Sequence, residues 1–185
     1  EEIISDERAV ELFGLDGIGQ APARFDIEKL RHLNAHYLKK RENDDLVNLI
    51  APLLESQGAE ISDTARIWLL KGMDDLKERS KDLHELAQTA KFYTQTRPLI
   101  YDEKATQILA DADKTILDNL IECLEHLDPF DTENIDALCK RQAEENDIKL
   151  KDIMMPLRAA LTGTSQSPHL AKVVEIMGRE ESDEL

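Results

Sequence analysis

The sequence predicts an all-α chain, and three observations carry that reading. No stretch alternates apolar and polar residues with period two for long, and β-branched residues never cluster. Apolar residues instead recur three and four positions apart, in segments that open on Ser or Asp and close near Gly or Pro. Only seven glycines and six prolines punctuate 185 residues, which suits long helices joined by short loops.

Ser5-Asp6-Glu7 caps a short helix running to Phe13, and a loop follows from Gly14 to Ala23. Its Gly17-x-Gly19 lacks a third glycine and a preceding strand, which excludes a dinucleotide site. Asp26 caps a helix with Ile27, Leu30, Leu33, Tyr37 and Leu38 on one face. His32 and His36 lie four apart there, but no third ligand is in sight and a metal site is not expected. Asp44 begins a helix with Leu46, Leu49, Ile50, Leu53 and Leu54 inward; Pro52 should kink or split it, and Gly58 ends it. Ser62-Asp63 caps the next, with Ile67, Leu70, Met73 and Leu76 inward, and another runs around Leu83, Leu86, Ala90 and Phe92.

Thr96-Arg97-Pro98 breaks the pattern and divides the chain into two helical subdomains, 1–97 and 98–185. Asp102 then caps one long periodic segment, from Ile108 through Ile116 and Leu120 to Leu127, stopped by Asp128-Pro129. Asp131 or Thr132 caps a helix burying Ile135, Leu138 and Cys139, and Asn146-Asp147 is a turn. The following helix contains Pro156 and ends at Thr162-Gly163, where glycine suits a left-handed cap. Ser167-Pro168 reads as the N-cap and first position of a last helix, holding Leu170, Val173, Val174 and Met177. Arg179 to Leu185 is an acidic tail.

The core must be aliphatic, since 41% of residues are hydrophobic but only 4% aromatic. Cys123 and Cys139 have no metal-type spacing and read as reduced thiols in a cytosolic protein. No apolar run reaches transmembrane length. The chain opens on Glu1-Glu2-Ile3 and reads as the interior of a longer polypeptide. Its formal charge of −16 opposes nucleic-acid binding on composition alone, because phosphate contacts need Lys and Arg. Basic residues nevertheless gather from Arg24 to Arg41, Arg66 to Arg97 and Lys140 to Arg158, while acidic residues concentrate at both ends and in the central helix. Single-stranded bases can be read with fewer phosphate contacts than a duplex requires. No nucleophile, paired-carboxylate or histidine constellation marks an active site.

Three segments carry a family resemblance, in family order. Leu157-Arg158-Ala159-Ala160-Leu161-Thr162-Gly163 followed by Ser167-Pro168-His169-Leu170 resembles the anticodon-reading end of bacterial glutamyl-tRNA synthetases, with His169 where the family pattern has glycine. Gly17-Ile18-Gly19, Ala21-Pro22-Ala23-Arg24-Phe25-Asp26 and Lys29-Leu30 through Tyr37 resemble the opening of the same region, and Glu78-Arg79-Ser80-Lys81-Asp82-Leu83 resembles its central element. The resemblance implies the helical anticodon-binding region of a class I synthetase, its two subdomains being a stem-contact and first anticodon-binding unit (1–97) and a second anticodon-binding unit (98–185). The nucleotide-site signatures of the family are absent, so the chain resembles a carboxy-terminal portion, inactive alone, of an enzyme that attaches L-glutamate to its tRNA in the cytoplasm. ATP and magnesium would belong to the parent's catalytic part, and this portion would hold no cofactor or metal. The implied partners are a glutamate tRNA, or a glutamine tRNA in some members, and the parent's own amino-terminal catalytic domain, with neither DNA nor a membrane.

The resemblance also assigns residues. An Arg at the position of Arg79 reads the third anticodon base. Arg158, Ser167, Pro168 and Leu170 surround the first two. Lys29 and Arg31 are carried over as possible phosphate contacts. The chemistry at Arg79 is sensible: a guanidinium only donates, and cytosine offers adjacent O2 and N3 acceptors where guanine presents N–H groups. Position alone leaves plainer readings open. Arg79 and Arg158 flank apolar faces, where an Arg commonly packs its stem and pairs locally, Ser167 could simply cap a helix, and Lys29 and Arg31 could be a solvated basic face. A helical protein-interaction scaffold is the remaining alternative, suggested by the acidity.

Overall fold

Side-chain caps explain where most helices start. In a computed structural model of the protein, residues 3–17, 19 and 24–179 are described. They form ten α-helices and two short 3-10 turns, with no strand among them. The first helices, α1 (Asp6–Leu12) and α2 (Ile27–Lys40), are capped by the Ser5 hydroxyl and the Asp26 carboxylate, which accept the Arg8 and Lys29 N–H groups. The sequence elements Ile18 and Ala21-Pro22-Ala23 lie outside the described residues, as does the tail beyond Arg179.

α3 (Asn43–Glu55) begins one residue before the expected Asp44 and runs unbroken through Pro52. Pro52 falls in its last turn, where the helix has little left to lose, so the expected split does not occur. α4 (Asp63–Arg79) starts on Ser62, and α5 (Leu83–Ala90) starts on Asp82 and runs into a 3-10 turn over Lys91–Thr94. The buried face of α4 is Ala65, Leu69, Met73 and Leu76; Ile67, expected inward, is exposed. The phase is set by Gly72, against which the Tyr93 ring packs so closely that an added Cβ would meet its Cε2 at 2.6 Å. Burial of Tyr93 there pushes its hydroxyl pKa above the ordinary tyrosine value.

The single long helix expected after Asp102 is two helices, α6 (Glu103–Asp111) and α7 (Lys114–Glu125). Ala112 turns extended, and the Asp113 carboxylate accepts the Thr115 and Ile116 N–H groups to start α7 afresh. Periodicity runs through this break because the two helices bury consecutive faces, and a mid-segment Asp is an N-cap signal as readily as a solvated residue. Asp131, rather than Thr132, caps α8 (Thr132–Glu145); α9 (Leu150–Thr162) contains Pro156 and ends at Gly163, in the left-handed region at φ 69°. The last helix is α10 (Leu170–Met177).

One core links both halves. α3 lies on α4 and α5, α6 on α9, α7 on α8 and α9, and α8 on α9 and α10, while α10 also reaches back to α4. Leu69, Met73 and Leu76 of α4 join Leu170, Val173 and Val174 of α10 in one buried cluster. The Thr132 N–H and hydroxyl both donate to the Glu175 carboxylate, tying α8 to α10. These bonds, with Lys172 nearby, hold the Glu175 carboxyl below its ordinary value of 4.5. α2 touches α4 but leaves Ile27, Leu30 and Tyr37 exposed.

Candidate nucleic-acid interface

The end of α4, the end of α5 and the loop between α9 and α10 meet around an open cleft of about 580 Å³. Arg79 stands on its wall at the last residue of α4, where a cation also suits the helix dipole. The side chain is exposed and forms no ion pair or hydrogen bond among the described residues. The plainer reading, a rim Arg paired with a nearby Asp, does not hold here. Ser167 and the preceding Thr164, Ser165 and Gln166 form the opposite wall.

Arg158 projects from α9, half-buried, toward the same loop. Its Nε donates to the Ser167 hydroxyl at 3.0 Å, and Nη1 approaches the Met155 sulfur at 3.9 Å. No carboxylate neutralises it among the described residues. Burial and then the positive charge of Arg79 lower its pKa, so the two guanidinium groups sense one another. Two like charges close enough to act on one another are a cost in the free protein, and an acceptor-rich ligand would relieve it.

Ser167 is therefore not the N-cap of α10. Its oxygen is taken by Arg158, and His169 occupies the cap position, with its ring at 3.2 Å from Asp136 of α8. Gly163 lets the chain turn sharply out of α9; the Thr162 hydroxyl donates back to Arg158 O in the helix at 2.8 Å, and the Thr164 hydroxyl donates within the loop to Gln166 O at 2.6 Å. Pro168 is buried and Leu170 is 1% exposed, packed in the core. The structure thus gives these two residues the position of supports beneath the loop, while Ser167 lines the cleft and the half-buried Arg158 reaches only its hydroxyl.

Lys91 and Lys104 add positive charge to the cleft, and sequence reasoning singled out neither. Lys91 lay within the basic stretch from Arg66 to Arg97, but Lys104 had no signal, because only folding brings the start of α6 beside α5. The two acidic lining residues are engaged locally: Asp102 caps α6 through the Ala105 N–H at 2.6 Å, and Glu85 accepts the Lys81 N–H at 2.8 Å. In a chain of net charge −16, the three cations lining this cleft outnumber its two carboxylates, and both carboxylates accept backbone N–H groups. Lys29 and Arg31 do not line it. They sit exposed on α2, where Arg31 pairs with Glu28 at 3.1 Å.

Among the described residues no group of three His, Cys, Asp or Glu could hold a metal, and no helix is long and apolar enough to cross a membrane. Cys123 is half-buried and Cys139 buried, both unpaired. Burial pushes the Cys139 thiol up to about 12.

Residues 32–184 match the model of the anticodon binding domain family. The chain is 42% identical to a glutamate–tRNA ligase 2 of Rhodospirillum rubrum over 183 residues, covering 98% of this chain and 39% of that protein. It is 36% identical to glutamate–tRNA ligase 2 of Rickettsia bellii, covering 97% of this chain and again 39% of that one. A crystal structure of a glutamate tRNA ligase from Elizabethkingia meningosepticum, in complex with its amino acid, superposes on the whole chain with a TM-score of 0.80 at 29% identity, over 36% of its own length. The chain thus spans well under half the length of the relatives it matches, and the acidic-scaffold alternative loses its footing. An all-helical core, a cleft with the unpaired Arg79 guanidinium on its wall and the family match agree, and the chain belongs to the anticodon binding domain family.

Proposed function

We propose that this chain holds the anticodon arm of a glutamate tRNA within a cytoplasmic glutamate–tRNA ligase, whose remaining part uses ATP and magnesium to attach L-glutamate. The observation that carries the reading is the unpaired Arg79 guanidinium on one wall of the cleft, facing the loop whose Ser167 accepts from the half-buried, unneutralised Arg158. Arg79 comes from the first proposed subdomain (1–97) and Arg158 from the second (98–185), so the reading site forms where the two meet. Arg79 would donate to O2 and N3 of a cytosine at the third anticodon base. Arg158, oriented by Ser167, would serve the first two bases, with Pro168 and Leu170 fixing the loop from below. Lys29 and Arg31 would touch phosphates elsewhere on the arm.

The exposed apolar residues at the end of α1 and the start of α2 support a second contact. Phe13, Phe25, Ile27 and Leu30 all face solvent in this chain. Relatives carry more than half of their length beyond the matched part, and the catalytic domain would cover these side chains in the longer protein.

Titration of the 185-residue chain with the anticodon hairpin of a glutamate tRNA, at increasing salt, tests the reading. The expected result is saturable binding that weakens log-linearly with salt, each phosphate contact of a single strand adding about −0.7 to the slope. No binding, or binding equal to that of an unrelated hairpin, would overturn it.

A further inference from the structure

The cleft continues past Arg79 and the Ser167 loop. A second limb of about 610 Å³ runs between the turn around Gly58 and the linker 98–102. Gln88, Lys91, Gln95, Asp102 and Thr164 line both limbs, so the two form one groove. Tyr101 lines the far limb and is 40% exposed. Its hydroxyl has no hydrogen-bond partner among the described residues.

The backbone on either side of Tyr101 is fixed. The Asp102 N–H donates to Gly163 O at 2.9 Å, and the Asp102 carboxylate caps α6. Ile100 O lies so close to Gly163 that a Cβ there would sit 2.7 Å from it. The linker is strapped to the same loop that carries Ser167 and orients Arg158. An aromatic ring left open on a rigid strap, in a groove already lined by Lys91, has the parts of a stacking platform for an unpaired base: a π-face, no internal polar partner and a nearby cation. Aromatics make up only 4% of the chain, and the buried Phe92 and Tyr93 contribute to the core instead.

We infer that Tyr101 stacks a loop nucleotide flanking the anticodon triplet, making the groove a reader of more than three nucleotides. This rests on the proposal that the limb between Arg79 and Ser167 takes the triplet. The flanking contact would be tolerant of base identity, because every base has a π-face.

A double-mutant cycle tests it on the full 185-residue chain. Tyr101→Ala and Tyr101→Phe are titrated with the anticodon hairpin of a glutamate tRNA, intact or with one flanking loop nucleotide made abasic, each flank in turn. Tyr101→Ala should weaken binding of the intact hairpin about tenfold, Tyr101→Phe should keep most of the affinity, and the penalty should vanish for one abasic hairpin. Equal affinities for wild type and Tyr101→Ala, or a penalty that persists with both abasic hairpins, would overturn the inference while leaving the triplet reading intact. If the unaltered chain binds no hairpin, the triplet reading falls and this one with it.

Discussion

α2 and α10 carry the same kind of apolar stripe and meet opposite fates. In α10, Leu170, Val173, Val174 and Met177 are all buried. In α2, only Leu38 is, while Leu30 is 50% exposed and Ile27 and Tyr37 more so. Both segments are helical, as their periodicity says. The difference lies in what each packs on: α10 has α4, α8 and α9 around it, and α2 has chiefly a shallow contact with α4. Periodicity specifies which face of a helix is apolar; it does not supply a neighbour to cover it.

That contrast can be broken at several strengths. The largest effect should come from α10: Leu170→Ala empties a fully enclosed site and should cost about 2–5 kcal/mol in denaturant unfolding. A result near zero would mean that α10 is loosely held and the single core linking α4 to α10 is wrong. Gly72→Ala comes next. Its new methyl must displace the buried Tyr93 ring, an overpacking cost of about 1–3 kcal/mol that outweighs the ordinary helical advantage of Ala. A stabilised variant would show that the ring moves freely.

Glu175 should give a smaller, pH-dependent effect. Its carboxyl titrates below its ordinary 4.5 in the folded chain, chiefly through the Thr132 hydroxyl. The stability it adds is therefore complete above its unfolded-state pKa and is lost as pH falls through the lowered folded-state value. Glu175→Gln should lower the melting temperature at neutral pH and narrow its gap to wild type in acid; a constant gap would contradict the assignment. Smallest of all, Leu30→Ser on α2 should change stability by less than about 0.5 kcal/mol in this chain, and should destabilise the longer enzyme if the catalytic domain rests there. Equal indifference in both would leave the α2 face uncovered.

Much of the fold was legible because its caps are local. Ser5, Asp26, Ser62 and Asp102 start helices where their side chains reach the nearby N–H groups. The failures came where distant groups intervene. Ser167 looked like a cap and is held by Arg158 from the preceding helix. The phase of α4 depends on Tyr93, well beyond Gly72 in the chain. Asp113 could be a cap or a solvated residue, and periodicity across Ala112 could not choose. At the site, Arg79 and Arg158 came from family-like motifs, and the cleft that sets Arg79 opposite Ser167, the partner of Arg158, required the fold. Lys104 and Tyr101 had no signal, since their meaning is set by the strap between Asp102 and Gly163.

The account turns on Arg79 as a reader of the third base, and one comparison tests it most directly: affinities of wild type and Arg79→Gln for two anticodon hairpins that differ only in carrying C or G at that base. Wild type should favour C by about 1–3 kcal/mol. Arg79→Gln should lose most of that preference while its thermal stability stays level or rises, because the charge opposing Arg158 is gone. A variant that weakens both hairpins equally and keeps the preference would show that Arg79 touches only the backbone.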